Sequence, residues 1–221
     1  MARRTYGEYC ALARALDLVG ERWTLLVVRE LILGPKRFTD IADGLGGVGR
    51  NLLAERLRLL EQEGVVRRRT LPPPAASRVY ELTEDAADLT EAMGALTRWG
   101  ARRLGRRQRA EVLHPGWMAM AMTAGADVEA ARGVRETYQF DVDDEPFHIR
   151  VDDGDVMPRI GRSSDPDLVV TMSGDTLAGL VGNELSPPEA LAAGLITLDG
   201  PADAFVRCVT ILGGGRAVPA A

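Results

Sequence analysis

Leucines at positions 53, 57 and 60 recur at helical spacing through residues 50–61, with Asn51, Glu55 and Arg58 on the opposite side. That pattern predicts an amphipathic helix with one face for packing and one left free. Immediately before it, Gly44-Leu45-Gly46-Gly47-Val48-Gly49 tolerates the left-handed backbone of a tight turn, and Gly49 suits an N-cap. Gly64 fits the position just past the helix end. Upstream, Phe38, Ile41, Ala42 and Leu45 keep the same period and predict a shorter first helix. Downstream, residues 65–70 and 78–83 are strand-like in composition, and the intervening Pro72-Pro73-Pro74-Ala75-Ala76-Ser77 cannot continue a ladder.

Helix, turn, helix and arginine-bearing hairpin, in that order, predict a winged helix-turn-helix, and duplex DNA is the partner such an arrangement fits. An amphipathic helix with outward arginines is ordinarily only a solvated surface helix; the ordered combination carries the inference. Thr39, Arg50, Asn51, Arg56 and Arg58 are the candidate groove-side residues, Asn51 for an adenine edge and the arginines for guanine or phosphate. In the hairpin, Arg68, Arg69 and Arg78 suit phosphate or a narrow minor groove, where the guanidinium fork is favoured.

Beyond the hairpin, residues 84–104 continue helically, with Leu89, Met93, Leu96 and Trp99 on one stripe. That stripe serves equally as an intramolecular core or as an interface. Arg102, Arg103, Arg106, Arg107 and Arg109 then mark a solvated exit toward a linker near His114-Pro115. The pattern next changes class. Residues 117–131 predict one helix; 137–142, 147–151, 156–160 and 168–172 predict strands joined by short polar turns; 175–183, 188–193 and 202–212 predict helices, with a short strand at 196–199. The sum is an α+β chain: an N-terminal winged helix-turn-helix followed by an antiparallel sheet covered by helices on one side.

Length and charge divide the chain in the same place. The 221 residues suit two domains, expected at 1–110 and 115–221. Residues 1–110 carry 20 Arg and Lys against 14 Asp and Glu, a net of +6; residues 111–221 carry 7 against 18, a net of −11. The overall net charge of −5 therefore hides a basic half able to displace counterions from phosphate. Lys36 is the only lysine against 26 arginines, which reads as codon bias.

The residues also carry two resemblances. Cys10, the Gly20-Glu21-Arg22-Trp23-Thr24 run, Arg29-Glu30-Leu31, Gly34-Pro35-Lys36-Arg37-Phe38, Leu53-Ala54-Glu55-Arg56-Leu57 and Tyr80-Glu81-Leu82-Thr83 resemble the HxlR-type regulators, relatives of the MarR group, over residues 8–105. The resemblance implies a dimeric bacterial transcription factor whose N-terminal helix and post-wing helix form the dimer interface. It also implies a redox candidate in Cys10, which matches the cysteine preceding the first helix in HxlR-type proteins, some of which respond to electrophiles. Gly49-Arg50 stands where that family commonly has serine and proline. The second resemblance runs over residues 117–213, through Asp167-Leu168-Val169-Val170-Thr171-Met172-Ser173, Leu177, Leu180 and Ser186-Pro187-Pro188-Glu189-Ala190, and is to the sterol-carrier-protein type of lipid-binding domain. It implies a tunnel for a small hydrophobic ligand, with Trp117, Met118, Met122, Phe140, Phe147, Leu177, Leu180, Val181 and Phe205 as candidate lining. The same residues at helical or strand spacing also read as plain core.

No run approaches a membrane span, and residues 1–4 do not open a signal peptide, so a cytoplasmic protein without membrane association is expected. Two cysteines with no CxxC and only His114 and His148 give no expected disulfide, metal site or cofactor. No nucleophile or nucleotide-binding motif is present, so an enzyme is not expected. The reading is a homodimeric DNA-binding regulator, expected to repress from a near-palindromic operator, with a ligand-sensing C-terminal domain. The alternative is a lipid or small-molecule carrier or interaction protein that uses the winged helix mainly for dimerisation.

Overall fold

The computed structural model describes residues 5–105, 107–108 and 110–213; Arg106 and Arg109 of the expected basic exit lie outside them. The chain divides into two compact units, residues 1–93 and 94–221.

The first unit begins with α1 (Ala11–Val19) and α2 (Thr24–Ile32), then α3 (Phe38–Leu45) and α4 (Arg50–Gln62). Asp40 accepts the Arg37 backbone N–H at 3.1 Å, starting α3. Between α3 and α4 the chain reverses at Gly46 and Gly47, both at positive φ (44° and 85°), where a side chain would be strained. In α4, Leu53, Leu57 and Leu60 are fully buried. They meet Val27, Val28, Leu31 and Ile41 in one core, together with Val66 of the hairpin. Strands β1 (Val66–Thr70) and β2 (Arg78–Leu82) pair antiparallel, Arg67 opposite Glu81 and Thr70 opposite Arg78.

A buried carboxylate fixes the position of this hairpin. Glu30 of α2 is completely buried, and Arg29 reaches it at 2.9 Å and Lys36 at 2.7 Å. Burial lowers the pKa of Arg29, and the Glu30 charge opposes that shift. Lys36 in turn exchanges both backbone hydrogen bonds with Tyr80, at 3.0 and 2.8 Å, so the lysine links the α2 carboxylate to the hairpin. Gly44 of α3 packs on the same group: a Cβ there would lie 2.7 Å from a Glu30 oxygen.

A 3₁₀ turn (Glu84–Ala86) leads into α5 (Ala87–Ala101). Its apolar stripe separates: Leu89 and Met93 join the first core, whereas Leu96 and Trp99 are each 53% exposed.

In the second unit, α6 (Pro115–Ala124) and the short α7 (Val128–Ala131) replace the single helix expected over 117–131. Gly125 ends α6, and the Asp127 carboxylate accepts the N–H groups of Glu129 and Ala130 at 3.1 and 3.2 Å, which starts a new helix instead of continuing the old one. Five strands follow: β3 (Arg135–Val142), β4 (Phe147–Asp152), β5 (Asp155–Ile160), β6 (Leu168–Met172) and β7 (Ile196–Asp199), in spatial order β5-β4-β3-β6-β7. The sheet is mixed, correcting the antiparallel expectation, because β3 and β6 run parallel. Residues 161–167 cross the outer face to make this possible: Arg162 bonds Asp141 at 2.6 Å, and Ser163 donates its N–H to the Gln139 side-chain oxygen at 2.9 Å.

On the other face, Tyr138, Phe140, Phe147, Ile149, Leu168 and Val170 form the second core with α8 (Gly174–Val181), α9 (Pro187–Ala192) and α10 (Ala202–Ile211). Ser173 and Ser186 cap α8 and α9.

Glu30→Ala leaves two cations beside an apolar core, and removing one partner of a buried ion pair costs about 3 kcal/mol or more. Urea unfolding should show a loss of that size, against less than about 0.5 kcal/mol for Glu129→Ala at an exposed pair; equal losses would remove Glu30 from this role.

Candidate nucleic-acid interface and ligand cavity

Because α4 buries its leucines, Arg50, Asn51 and Arg58 project to solvent, and Thr39 of α3 is also exposed. Arg50 lies 5.7 Å over the Phe38 ring and Arg58 bonds Gln62 at 3.2 Å. Asn51 is fully available at the helix start, the part of a reading helix that meets base edges. Arg56 is placed differently from the expected groove side. Its side chain is only 12% exposed and reaches Glu21 at 3.3 Å, while its Nε is buried with no hydrogen-bond partner. It belongs to the flank of α4 that packs toward the residue 21–24 turn, where Trp23 holds a left-handed backbone (φ 77°).

The hairpin brings four arginines together. Arg67 and Arg69, on one side of β1, both hold Glu81, at 2.7 and 2.9 Å. Arg68, on the other side, pairs with Glu61 at 3.0 Å and covers the Tyr80 ring at 5.3 Å. Arg78 is exposed at the strand end. Arg68–Glu61 is a part-exposed surface pair worth roughly 0–1 kcal/mol, so a phosphate can displace that carboxylate at small cost; Glu81 is buried, and Arg67 and Arg69 keep its charge paired. Arg67 had a signal in the sequence: the period of two puts it beside Arg69.

In the second unit a cavity of about 490 Å³ opens between the sheet and its helices, within the size range of small-molecule sites. Phe140, Val170, Met172 and Ile196 give its floor; Met122, Leu177, Leu180, Val181 and Phe205 give its walls. Six of the nine expected lining residues are thus at the cavity. Trp117, Met118 and Phe147 are not among the residues lining it. Phe147 is fully buried and stacks under Phe140, with ring centres 4.8 Å apart, and Trp117 stacks on His114 at 5.2 Å. Sequence reasoning missed Arg98 and Arg102 of the α5 end, Asn183 and Cys208, all of which line the cavity; nothing in the periodicity of α5 signals that its end reaches this sheet.

Helix α10 is fixed over the cavity by a polar cluster. Arg207 donates to Glu136 of β3 at 2.9 Å and to Asp203 at 2.9 Å, and the Tyr138 hydroxyl donates to Glu136 at 2.6 Å. Burial pushes the Glu136 pKa up, but the Arg207 and Tyr138 hydrogen bonds outweigh it, so the carboxyl titrates below its ordinary value. Burial raises the Tyr138 hydroxyl, as does its bond to Glu136. Burial also raises the Cys208 thiol, which keeps it protonated and unreactive in the cavity wall. Cys10 is a free, exposed cysteine at the start of α1.

Comparison with known proteins places these two geometries. Residues 18–108 match the HxlR-like helix-turn-helix family. An HTH-type transcriptional regulator of Bacillus subtilis, YvaP, is 35% identical over 86 residues, 80% of its length and 39% of this chain. The chain belongs to the HxlR family. YodB of Bacillus subtilis, also an HTH-type transcriptional regulator, is 36% identical over 85 residues, 76% of its length and 38% of this HxlR-type chain. A Mycobacterium tuberculosis HTH-type regulator is 41% identical over 100 residues; the HxlR-type chain spans 61% of that relative's length, and the match takes up 45% of the chain. The crystal structure of reduced YodB overlays with 31% identity and a TM-score of 0.39, covering 46% of this chain and all of YodB. Residues 121–212 match the SCP-2 sterol transfer family, so the HxlR-type chain carries a second, sterol-carrier-like domain. Among the described residues, no group of three or more His, Cys, Asp or Glu is placed to hold a metal ion, and no helix is long and apolar enough to cross a membrane.

A carboxylate whose folded pKa lies below its unfolded value stabilises the fold above the unfolded value, and that stability is lost as pH falls through the folded one. Glu136, with an ordinary value of 4.5, should therefore destabilise the second unit on acidification below that pH. Urea midpoints measured from neutral pH down to about pH 3 should fall less steeply for Glu136→Gln than for the unaltered protein. Identical slopes would contradict the assignment.

Proposed function

We propose that the protein is a homodimeric, cytoplasmic transcriptional regulator that binds duplex DNA, represses from a near-palindromic operator, and responds to a small hydrophobic ligand. Residues 1–110 act as the reading and dimerising part and residues 115–221 as the sensor. The observation that carries the reading is the exposed α4 start, with Arg50, Asn51 and Arg58 free of the core, beside a hairpin bearing Arg67, Arg68, Arg69 and Arg78. Membership of a family whose relatives are named as HTH-type transcriptional regulators supports it. Exposed Leu12 and Leu16 on α1, and Leu96 and Trp99 on α5, support the dimer, since apolar side chains at this exposure are the natural material of an interface between copies. Two reading helices about 34 Å apart would then demand a two-fold site.

The cavity supports the ligand. Repression rests on the expectation that a small dimer occupying a promoter blocks it. The second reading, a carrier or interaction protein using the winged helix for dimerisation, draws on the same cavity and differs by requiring no DNA affinity.

One experiment separates them: a salt titration of binding to the protein's own promoter, with three proteins. The unaltered chain should lose affinity steeply as salt rises, and Arg68→Ala with Arg69→Ala should flatten the slope by about one unit per lost phosphate contact. Leu96→Asp, which leaves the reading face intact, should sediment as a monomer and bind weakly. Absence of promoter affinity favours the carrier, and an unchanged slope removes the wing from the interface.

A further inference from the structure

The lining of the cavity is largely apolar, and its charged members are Arg98 of α5 and Arg102, the residue that follows the end of that helix. They belong to the minority of this unit's described arginines that no carboxylate pairs. Six of its ten described arginines, at 107, 132, 135, 150, 162 and 207, pair with carboxylates. Among the described residues, neither Arg98 nor Arg102 has a carboxylate within pairing distance. Arg98 spends one N–H on the Ala124 carbonyl at 2.9 Å, which anchors its guanidinium at the end of α6 and leaves further donors of its fixed fork unused. Residues 94–110 hold six arginines and no acidic residue, so no neighbour along the chain neutralises the pair.

An apolar pocket ending in two unneutralised guanidinium groups fits an amphipathic anion better than a neutral lipid. The apolar body takes the place of water against Phe140, Leu177, Leu180 and Phe205, and the charged head stays at the mouth, where both partners remain hydrated. Staying there avoids the penalty of burying an ion pair. The acidic character of residues 111–221 does not oppose this, because exposed charges more than about 8 Å away are largely screened at physiological salt, while a head in contact with the arginines is screened less.

We propose that Arg98 and Arg102 form a head-group subsite, and that the ligand of the cavity is a long-chain carboxylate or a similar amphipathic anion. This rests on the cavity being a ligand site at all, and the test keeps the two apart.

The delipidated full-length protein is titrated with cis-parinaric acid and with its methyl ester, which share one chain and differ only in charge. The unaltered protein should prefer the acid by about fivefold, the scale of partly exposed charge pairing. That preference should shrink as salt rises. Arg98→Gln with Arg102→Gln should bind the ester unchanged and lose the preference, and Arg98→Lys with Arg102→Lys should retain part of it. Equal binding of acid and ester by the unaltered protein overturns the subsite while leaving the cavity reading standing. A preference that survives the glutamine variant, or that salt does not alter, also overturns it. Binding of neither probe removes the cavity reading and the subsite with it. Should the double glutamine variant not fold, the salt dependence in the unaltered protein decides alone.

Discussion

Each helix and strand of this protein has one face to bury, and what the other face is free to do follows from that. In α4 the complete burial of Leu53, Leu57 and Leu60 holds the helix so that Arg50, Asn51 and Arg58 stand in solvent. A core loosened at any of those leucines would lose a few kcal/mol and also the aim of the reading face. Glu30 applies the same constraint to a charge. A carboxylate with no exposure must be paired, and one of the two cations that pair with it, Lys36, is the residue whose backbone holds Tyr80. The hairpin arginines are thereby placed by an ion pair anchored alongside β2, at the Lys36–Tyr80 bridge.

In the second unit the buried face is larger than its helices can fill. The floor of Phe140, Val170 and Met172 is covered at its edges by α6, α8 and α10, and a cavity remains between. Densely packed interiors seldom leave a space of this size unless something occupies it. Helix α5 carries both themes: Leu89 and Met93 are spent on the first core, and its last turn and the residue after it supply Arg98 and Arg102 to the cavity. A ligand that altered that turn would act on a helix already committed to the winged-helix core, which gives the proposed regulator a covalent route from sensor to reading head.

Much of this was legible in the sequence where one physical rule acts alone. The α3–turn–α4 segment, both hairpin strands and the later strands follow from periodicity and turn chemistry. The failures occur where tertiary structure overrules local pattern. Residues 117–131 keep an apolar helical run, yet Gly125 and the capping carboxylate of Asp127 divide it. The parallel pairing of β3 with β6 depends on a loop crossing the sheet, held by Gln139 and Asp141, and short strands with polar turns read as hairpins. Arg56 looks like an outward arginine from its charge and is drawn inward by Glu21. Phe147 has the composition of a cavity residue and lies one layer below it. Arg102 reads as part of a solvated basic exit and Arg98 as a residue of the helix before it, because no sequence rule reveals that the end of α5 approaches a sheet dozens of residues later.

The central claim is that occupancy of the cavity alters DNA binding. The most direct measurement is the affinity of the full-length protein for its own promoter, at fixed salt, with and without saturating cis-parinaric acid. Coupling between sites of this kind is worth about 1–3 kcal/mol, so the account predicts a change in dissociation constant of about 5- to 150-fold, toward release. The same promoter affinity with the cavity filled and empty would contradict it.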